Sequence, residues 1–253
     1  MSPRTLQKTP VEGQDAEPQA ASASETKPTP RLRRGRYISD SILERRRRML
    51  EVAKAMIAEG GSAGFTIREL GRRAKVSVTT IYATYGDKEG LIAAAIQDYY
   101  DGLPVARARQ TTSLPGLLAA TDLARDAILG NKPYARQYAE LYFSGTLDAR
   151  IYKVIQETAT ASAGQMPWLQ KIMRDGDLIP GLELGYIVTL LANQRLMVLH
   201  DWAQGRVKDE DLSTATKMAF LIMMRGLTRG PTQARLEVEL KKLLRTAGNG
   251  SSE

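Results

Sequence analysis

The chain has 253 residues and a formal net charge of +8, with no cysteine and a single histidine, His200. Those counts exclude thiol nucleophiles, disulfides and cysteine-ligated zinc, and they leave little for histidine-based catalysis or metal binding. No run approaches the roughly 20 apolar residues of a membrane-spanning helix, and the N-terminus lacks the apolar stretch of a secretory signal, so a cytoplasmic location without a membrane partner is expected.

The charge is unevenly placed. Residues 31–88 hold fourteen Lys/Arg against six Asp/Glu, a surplus of eight that equals the whole net charge. A local basic surplus of this kind is the electrostatic footprint of a nucleic-acid face.

Taken in chain order, residues 1–38 are rich in Pro, Ala, Ser, Thr and Gln without apolar periodicity, which predicts a disordered tail ending in the basic stretch Arg31, Arg33, Arg34, Arg36. A first helix is expected over 41–59, with Leu50, Ala53, Met56 and Ile57 as its buried face and Gly60-Gly61 as its stop. Two short helices follow near 67–74 and 78–85, and a fourth starts after Asp87 and ends near Asp101. Beyond Pro104 and Pro115, helices are expected near 116–129, 133–144, 147–174 (broken around Gly164–Pro167), 182–204, 209–228 and 232–246. Gly205 suits a left-handed position at the end of the helix before it. The reading is all-α: a helix-turn-helix domain at 39–95, a larger ligand-binding and dimerisation domain at 96–248, and a disordered C-terminus at 249–253.

Thr66-Ile67-Arg68-Glu69 has the form of a capping box, and Phe65 with Leu70 can close a hydrophobic staple around it. The pattern recurs at Ser77, flanked by Val76 and Ile81. Two capped starts eleven residues apart leave room for two short helices and a tight turn, which is helix-turn-helix spacing. On the second helix Val78, Ile81 and Tyr85 share a face expected to pack on Leu70 and Ala74. The opposite face presents Thr79, Thr80 and Ala83, with Tyr82 and Thr84 on its flanks. Small, hydroxylic side chains fit a major groove, where methyls meet thymine methyls and hydroxyls reach base edges or phosphates.

The stretches Phe65–Leu70, Val76–Tyr82 and Tyr85–Leu91 resemble the DNA-binding domain of the TetR family over about residues 45–95. The resemblance implies that Tyr82, Lys88 and Thr66 hold phosphates while the outer face of the third helix reads bases. Lys88 also falls in the first turn of the fourth helix, where backbone N–H groups already favour an anion. Candidate DNA-contacting residues are therefore Thr66, Ser77, Val78, Thr79, Thr80, Tyr82, Ala83, Thr84, Tyr85 and Lys88. Arg33, Arg34 and Arg36 join them as an arm that can enter the adjacent minor groove. Three positions depart from the family pattern. Lys75 stands where the turn usually has Gly, Gly71 replaces a usual Ala, and Gly86 a common Pro. Lys75 either adopts positive φ or the turn differs slightly.

The segments at 182–204 and 209–228 are apolar around more of their circumference than one core face requires. They are either central buried helices or also meet a partner chain, and the resemblance implies the latter, a homodimer. Candidate ligand contacts are Tyr138, Tyr142, Phe143, Met166, Trp168, Met173, Asn193, His200 and Trp202. Asn193, Gln194 and Arg195 interrupt an apolar helix, so at least one is expected to face a cavity or cross the dimer. The sequence offers no Ser/His/Asp, metal or phosphate-loop constellation, so neither an enzyme nor a cofactor is expected. The expected function is a transcriptional regulator that binds an operator in double-stranded DNA, a repressor released by a small apolar or amphipathic ligand. The alternative is a DNA-bound protein of the same fold acting through a protein partner. A closed apolar cavity favours the first and a filled core the second.

Overall fold

The computed structural model describes residues 33–62, 64–103, 111–145, 147–162 and 165–249, and among these it has eleven helices and one isolated antiparallel bridge, Leu178–Thr228. The fold is all-α. The expectations for residues 1–32 and 250–253 lie outside the described residues.

Helix α1 (Arg33–Gly60) begins eight residues before the expected Ser41. Arg33, Arg34 and Arg36, assigned by sequence to a flexible arm, therefore stand on helical backbone. The early turns are polar and carry no apolar period, so nothing in the pattern marks their start. Further along, Met49, Leu50, Ala53, Met56 and Ile57 are buried at helical spacing.

Helices α2 (Ile67–Ala74) and α3 (Val78–Tyr85) have the expected bounds because their signals are local. Thr66 Oγ1 accepts from Glu69 N at 3.3 Å, and Ser77 Oγ accepts from Thr80 N at 3.1 Å. The capping box at Thr66 is only half formed. The Glu69 carboxylate turns instead to Arg72 and Arg73 at 2.7–2.8 Å, and these guanidinium groups hold its pKa down to about 2. Charge-assisted bonds to two arginines outcompete one backbone N–H. Between the helices Lys75 takes the left-handed conformation at φ 55°, the sole non-glycine with positive φ among the described residues.

Gly71 is the compensation for that turn. Val76 N donates to Gly71 O at 3.0 Å, and a Cβ at Gly71 would lie 2.8 Å from Val76 O. The usual alanine would wedge the turn open. Gly86, at φ 81°, occupies a conformation closed to proline, whose ring fixes a negative φ.

Helix α4 (Lys88–Asp101) is capped by Asp87, whose Oδ1 accepts from Gly90 N at 2.7 Å. Helices α5 (Leu114–Leu129), α6 (Lys132–Tyr142), α7 (Ala149–Ser162), α8 (Met166–Arg174), α9 (Leu184–Ala203), α10 (Leu212–Leu227) and α11 (Gly230–Asn249) complete the chain. The segment expected over 147–174 is thus two helices, with Pro167 in the first turn of α8, where a missing N–H is harmless. Gly205 follows α9 at φ 75°.

Two apolar cores result. The first joins the helix-turn-helix to α4, α6, α7 and the later half of α9 without a break near residue 95. The second gathers α5, α8, the early half of α9, α10 and α11. Helix α9 belongs to both.

Candidate nucleic-acid interface and helical-domain cavity

Helix α3 buries Ile81 completely and leaves Thr79, Tyr82, Ala83 and Thr84 exposed, Tyr82 at 48%. Its outer surface is therefore the small, hydroxylic face expected for a major groove. Val78 departs from expectation: 38% exposed, it belongs more to the outer surface than to the packing face. Thr80 shares its hydroxyl with Ser77 at 2.8 Å, and Thr84 donates to Thr80 O at 2.7 Å. Those two hydroxyls are partly occupied within the helix. Tyr85 lies half-buried against the core and is not on the outer face.

Lys88 Nζ donates to Ser62 O at 2.7 Å, which pins the ammonium beside the loop before α2. An ammonium has three donors, so two stay available for a phosphate. Thr66 is exposed, and its oxygen accepts from Glu69 N, leaving its own O–H to donate. The Arg33, Arg34 and Arg36 side chains lie outside the described residues. Arg45, Arg46, Arg47 and Arg48 are exposed on α1, with Arg47 paired to Glu44 at 2.9 Å.

Two features of the head were not foreseen. A Cβ at Gly90 would stand 2.2 Å from Tyr85 O, so only glycine lets the start of α4 approach the end of α3 this closely. Arg150, beside Asp148 at the start of α7, reaches Asp87 at 2.9 Å and ties the α4 cap to the larger helical region. The glycine three residues after a cap was a usable signal for the first; nothing local signals the second.

In that region a small cavity, partly open to solvent, lies among α4, α5, α6, α7, α9 and α10. Tyr99, Tyr100 and Leu103 from the end of α4 line one side, and Tyr134 and Tyr138 of α6 another. The rings are in contact, Tyr99 with Tyr134 at 4.3 Å and Tyr100 with Tyr138 at 5.1 Å between centroids. Arg195 of α9 contributes the one strongly polar element of the α9 wall and donates to Ala159 O at 3.2 Å.

Of the ligand contacts expected from sequence, the structure places only Tyr138 on this cavity. Tyr142 and Asn193 meet each other at 3.2 Å in a surface cluster with Gln156. Phe143 stacks on His200 at 4.3 Å. Trp168 is buried in the second core, and Met166 and Met173 are exposed on α8. Trp202 is buried in the first core, and its indole N–H donates to Asp209 at 2.8 Å. Aromatic identity alone does not say which face of a helix borders a void. The better signal was spacing, since Tyr134 and Tyr138 are four residues apart on one face. The expectation that one of Asn193, Gln194 and Arg195 faces a cavity is met by Arg195.

Comparison with known proteins agrees with this geometry. Residues 49–95 match the family model described as bacterial regulatory proteins, tetR family. No curated protein matches the sequence. Among solved structures, a TetR-family transcriptional regulator from Syntrophomonas wolfei aligns with TM-score 0.55 at 14% identity, covering 72% of this chain and 95% of the other. A tetR-family regulator from Streptomyces coelicolor gives 0.53 at 17% identity, over 80% and 89%. SmeT, the repressor of the Stenotrophomonas maltophilia multidrug efflux pump SmeDEF, gives 0.51 at 15% identity, over 74% and 91%. At such identities the structures speak for the fold, and the match over 49–95 speaks for the head. Residues 49–95 thus carry the helix-turn-helix domain of the bacterial tetR-family regulatory proteins, set on an all-α body whose fold is that of TetR-family regulators of known structure.

Proposed function

We propose that this regulator is a homodimeric repressor that leaves its operator when a small amphipathic ligand enters the cavity between α4, α6 and α9. The observation that carries the reading is the placement of α4. Its first turn packs against the end of α3 at Gly90, and its end, with Tyr99, Tyr100 and the following Leu103, is cavity wall. A ligand that repositions the last turn moves a helix that is continuous with the head.

Two heads must stand about 34–36 Å apart to enter successive major grooves on one side of the duplex. A change in that separation lowers operator affinity by the ligand's preference for the altered state, and no further. The cavity, rather than a filled core, favours ligand control over action through a protein partner. Dimerisation is supported by α9 and α10, whose outer faces leave Tyr186 60%, Met197 50% and Ile222 57% exposed. An unpartnered row of this kind on adjacent helices suits an isologous contact.

The test is operator binding, followed by fluorescence anisotropy, with and without ligands found by thermal shift. Binding ligands should release the DNA. Operator affinity unchanged by every ligand that stabilises the protein removes induction from the reading.

A further inference from the structure

A second cavity, of about 350 Å³ and partly open to solvent, lies where the start of α5 meets α8 and α11, and it shares no lining residue with the cavity among α4, α6 and α9. Its floor is buried: Leu114 of α5, Trp168 and Ile172 of α8 and Thr232 of α11 are each at most 6% exposed. Its rim carries Thr112, Lys171 and Arg235, all exposed. Helical spacing builds two of the walls, because Trp168 with Lys171 and Thr232 with Arg235 are three residues apart and share a face.

This lining holds donors that the protein itself leaves idle. Trp168 is 4% and Thr232 5% exposed, yet neither the indole N–H nor the threonine hydroxyl has a partner in the protein. The other indole N–H of the chain, on Trp202, donates to Asp209 at 2.8 Å. Buried polar groups are nearly always satisfied, so two idle ones bordering one cavity point to a ligand with acceptors. Arg235 likewise has no hydrogen bond or ion pair. Lys171 is paired with Asp175 and keeps two of its three donors. Among the described residues no carboxylate lines the cavity. Asp177, on the α8–α9 connection, is committed to the first turn of α11, where it accepts from Thr232 N at 3.1 Å.

We propose that this cavity is a second ligand site and that it takes a phosphate monoester: the phosphate lies between Arg235, Thr232 and the Trp168 N–H, with Lys171 at the rim, and a small organic body rests on Leu114 and Ile172. A tetrahedral phosphate points its oxygens in several directions, so donors that arrive from α8 and α11 need not meet at one atom. The guanidinium fork matches two of those oxygens. A volume of about 350 Å³ is that of a small-molecule site and leaves room for a body beyond the phosphate. The site is independent of the effector cavity proposed above and stands whether or not that reading does.

The probes are phenyl phosphate, phenol and inorganic phosphate, titrated calorimetrically into the full-length protein at one ionic strength set with chloride. Phenyl phosphate should bind at least about tenfold more tightly than either of the others. Arg235→Met should weaken it at least about tenfold, and Thr232→Val, which removes only the idle hydroxyl, about threefold. Arg245→Met alters another exposed arginine of α11 that lies outside the cavity, and it should leave the affinity unchanged. Phenol binding as tightly as the ester overturns the anionic assignment, and inorganic phosphate binding as tightly overturns the monoester. Equal losses in Arg235→Met and Arg245→Met reduce the effect to net charge and overturn the site. No binding of phenyl phosphate, or binding undiminished in both Arg235→Met and Thr232→Val, overturns it as well. Should Thr232→Val fail to fold by circular dichroism, the comparison of Arg235→Met with Arg245→Met decides the matter.

Discussion

Asp87 and Arg150 are 63 residues apart in sequence, yet Arg150 Nη1 lies 3.0 Å from the Asp87 oxygen that also accepts from Gly90 N. One carboxylate therefore serves as the N-cap of α4 and as the anchor of α7. The Arg150 guanidinium, then the Gly90 N–H, hold the Asp87 carboxyl below its usual range. A carboxylate depressed by folding stabilises the fold above its ordinary pKa, and the contribution disappears as pH falls through the lowered value. Both side chains are exposed, so salt screens the pair.

Arg150→Ala should accordingly leave the fold intact and slightly lower its stability at neutral pH. Thermal unfolding at neutral and at acid pH measures this. The loss should concern the depression of both Asp148 and Asp87, so wild type and variant should converge once the pH lies below both folded values. Curves that stay equally separated at every pH would show that Arg150 acts through packing instead.

Gly90→Ala is the sharper test of the head. The added Cβ would lie 2.2 Å from the backbone oxygen of Tyr85, which cannot swing away as a side chain could. Forcing the α3–α4 junction apart should cost about 1–3 kcal/mol and weaken operator binding with it. Urea unfolding gives the first quantity, and a midpoint equal to the wild type would mean that the junction relaxes freely.

Much of the head was legible in the sequence because its determinants are local. Thr66, Ser77 and Asp87 cap helices within three residues of themselves, while the spacing left two forms open for the turn at Lys75, of which the structure has the left-handed one. The cavity was not legible in the same way. Tyr142, Phe143 and Trp202 are as aromatic as Tyr134 and Tyr138, and only the packing of α6 against α4 and α9 separates wall from core and surface. Glu69 fits a capping box by spacing, but two arginines within four residues take it first. The polar start of α1 lacks the apolar period from which helices are read.

Lys88→Ala tests phosphate clamping. The Nζ is fixed by Ser62 O at 2.7 Å, in the first turn of α4 and beside the α2 entry. Loss of one phosphate contact should weaken binding to specific and nonspecific DNA about equally and reduce the salt slope by about 1. A changed base preference with an unchanged slope would make Lys88 a base reader.

The proposed dimer surface is tested by charge. Met197→Glu on α9 and Ile222→Glu on α10 alter side chains at least half exposed in the single chain, so each fold should persist. Sedimentation velocity should show monomers in place of dimers, because like charges meet across a two-fold contact. Operator affinity should fall steeply with the loss of the second head. Variants that remain dimeric would move the interface to another face.

The last prediction concerns the route from cavity to DNA. Asp98, one residue before the two cavity tyrosines of α4, pairs with Lys54 of α1 at 2.8 Å. Helix α4 thus meets the head twice, against α3 at Gly90 and against α1 through the Asp98–Lys54 pair. A ligand that shifts Tyr99 and Tyr100 carries Asp98 with them and pulls on α1, while the start of α4 pulls on α3. Coupling of this kind is reciprocal: ligand weakens DNA and DNA weakens ligand by the same factor, typically 5–150-fold in such systems. Asp98→Asn keeps the size of the side chain and removes the ion pair. Ligand affinity without DNA should change little, because Asp98 is not part of the cavity wall. The factor by which operator raises the ligand's Kd should shrink, and the factor by which ligand raises the operator's Kd should shrink equally. Two titrations, each with and without the other partner, measure both factors. Wild-type coupling retained in Asp98→Asn would place the transmission wholly at the start of α4, and unequal factors would mean that DNA and ligand do not act on one shared equilibrium.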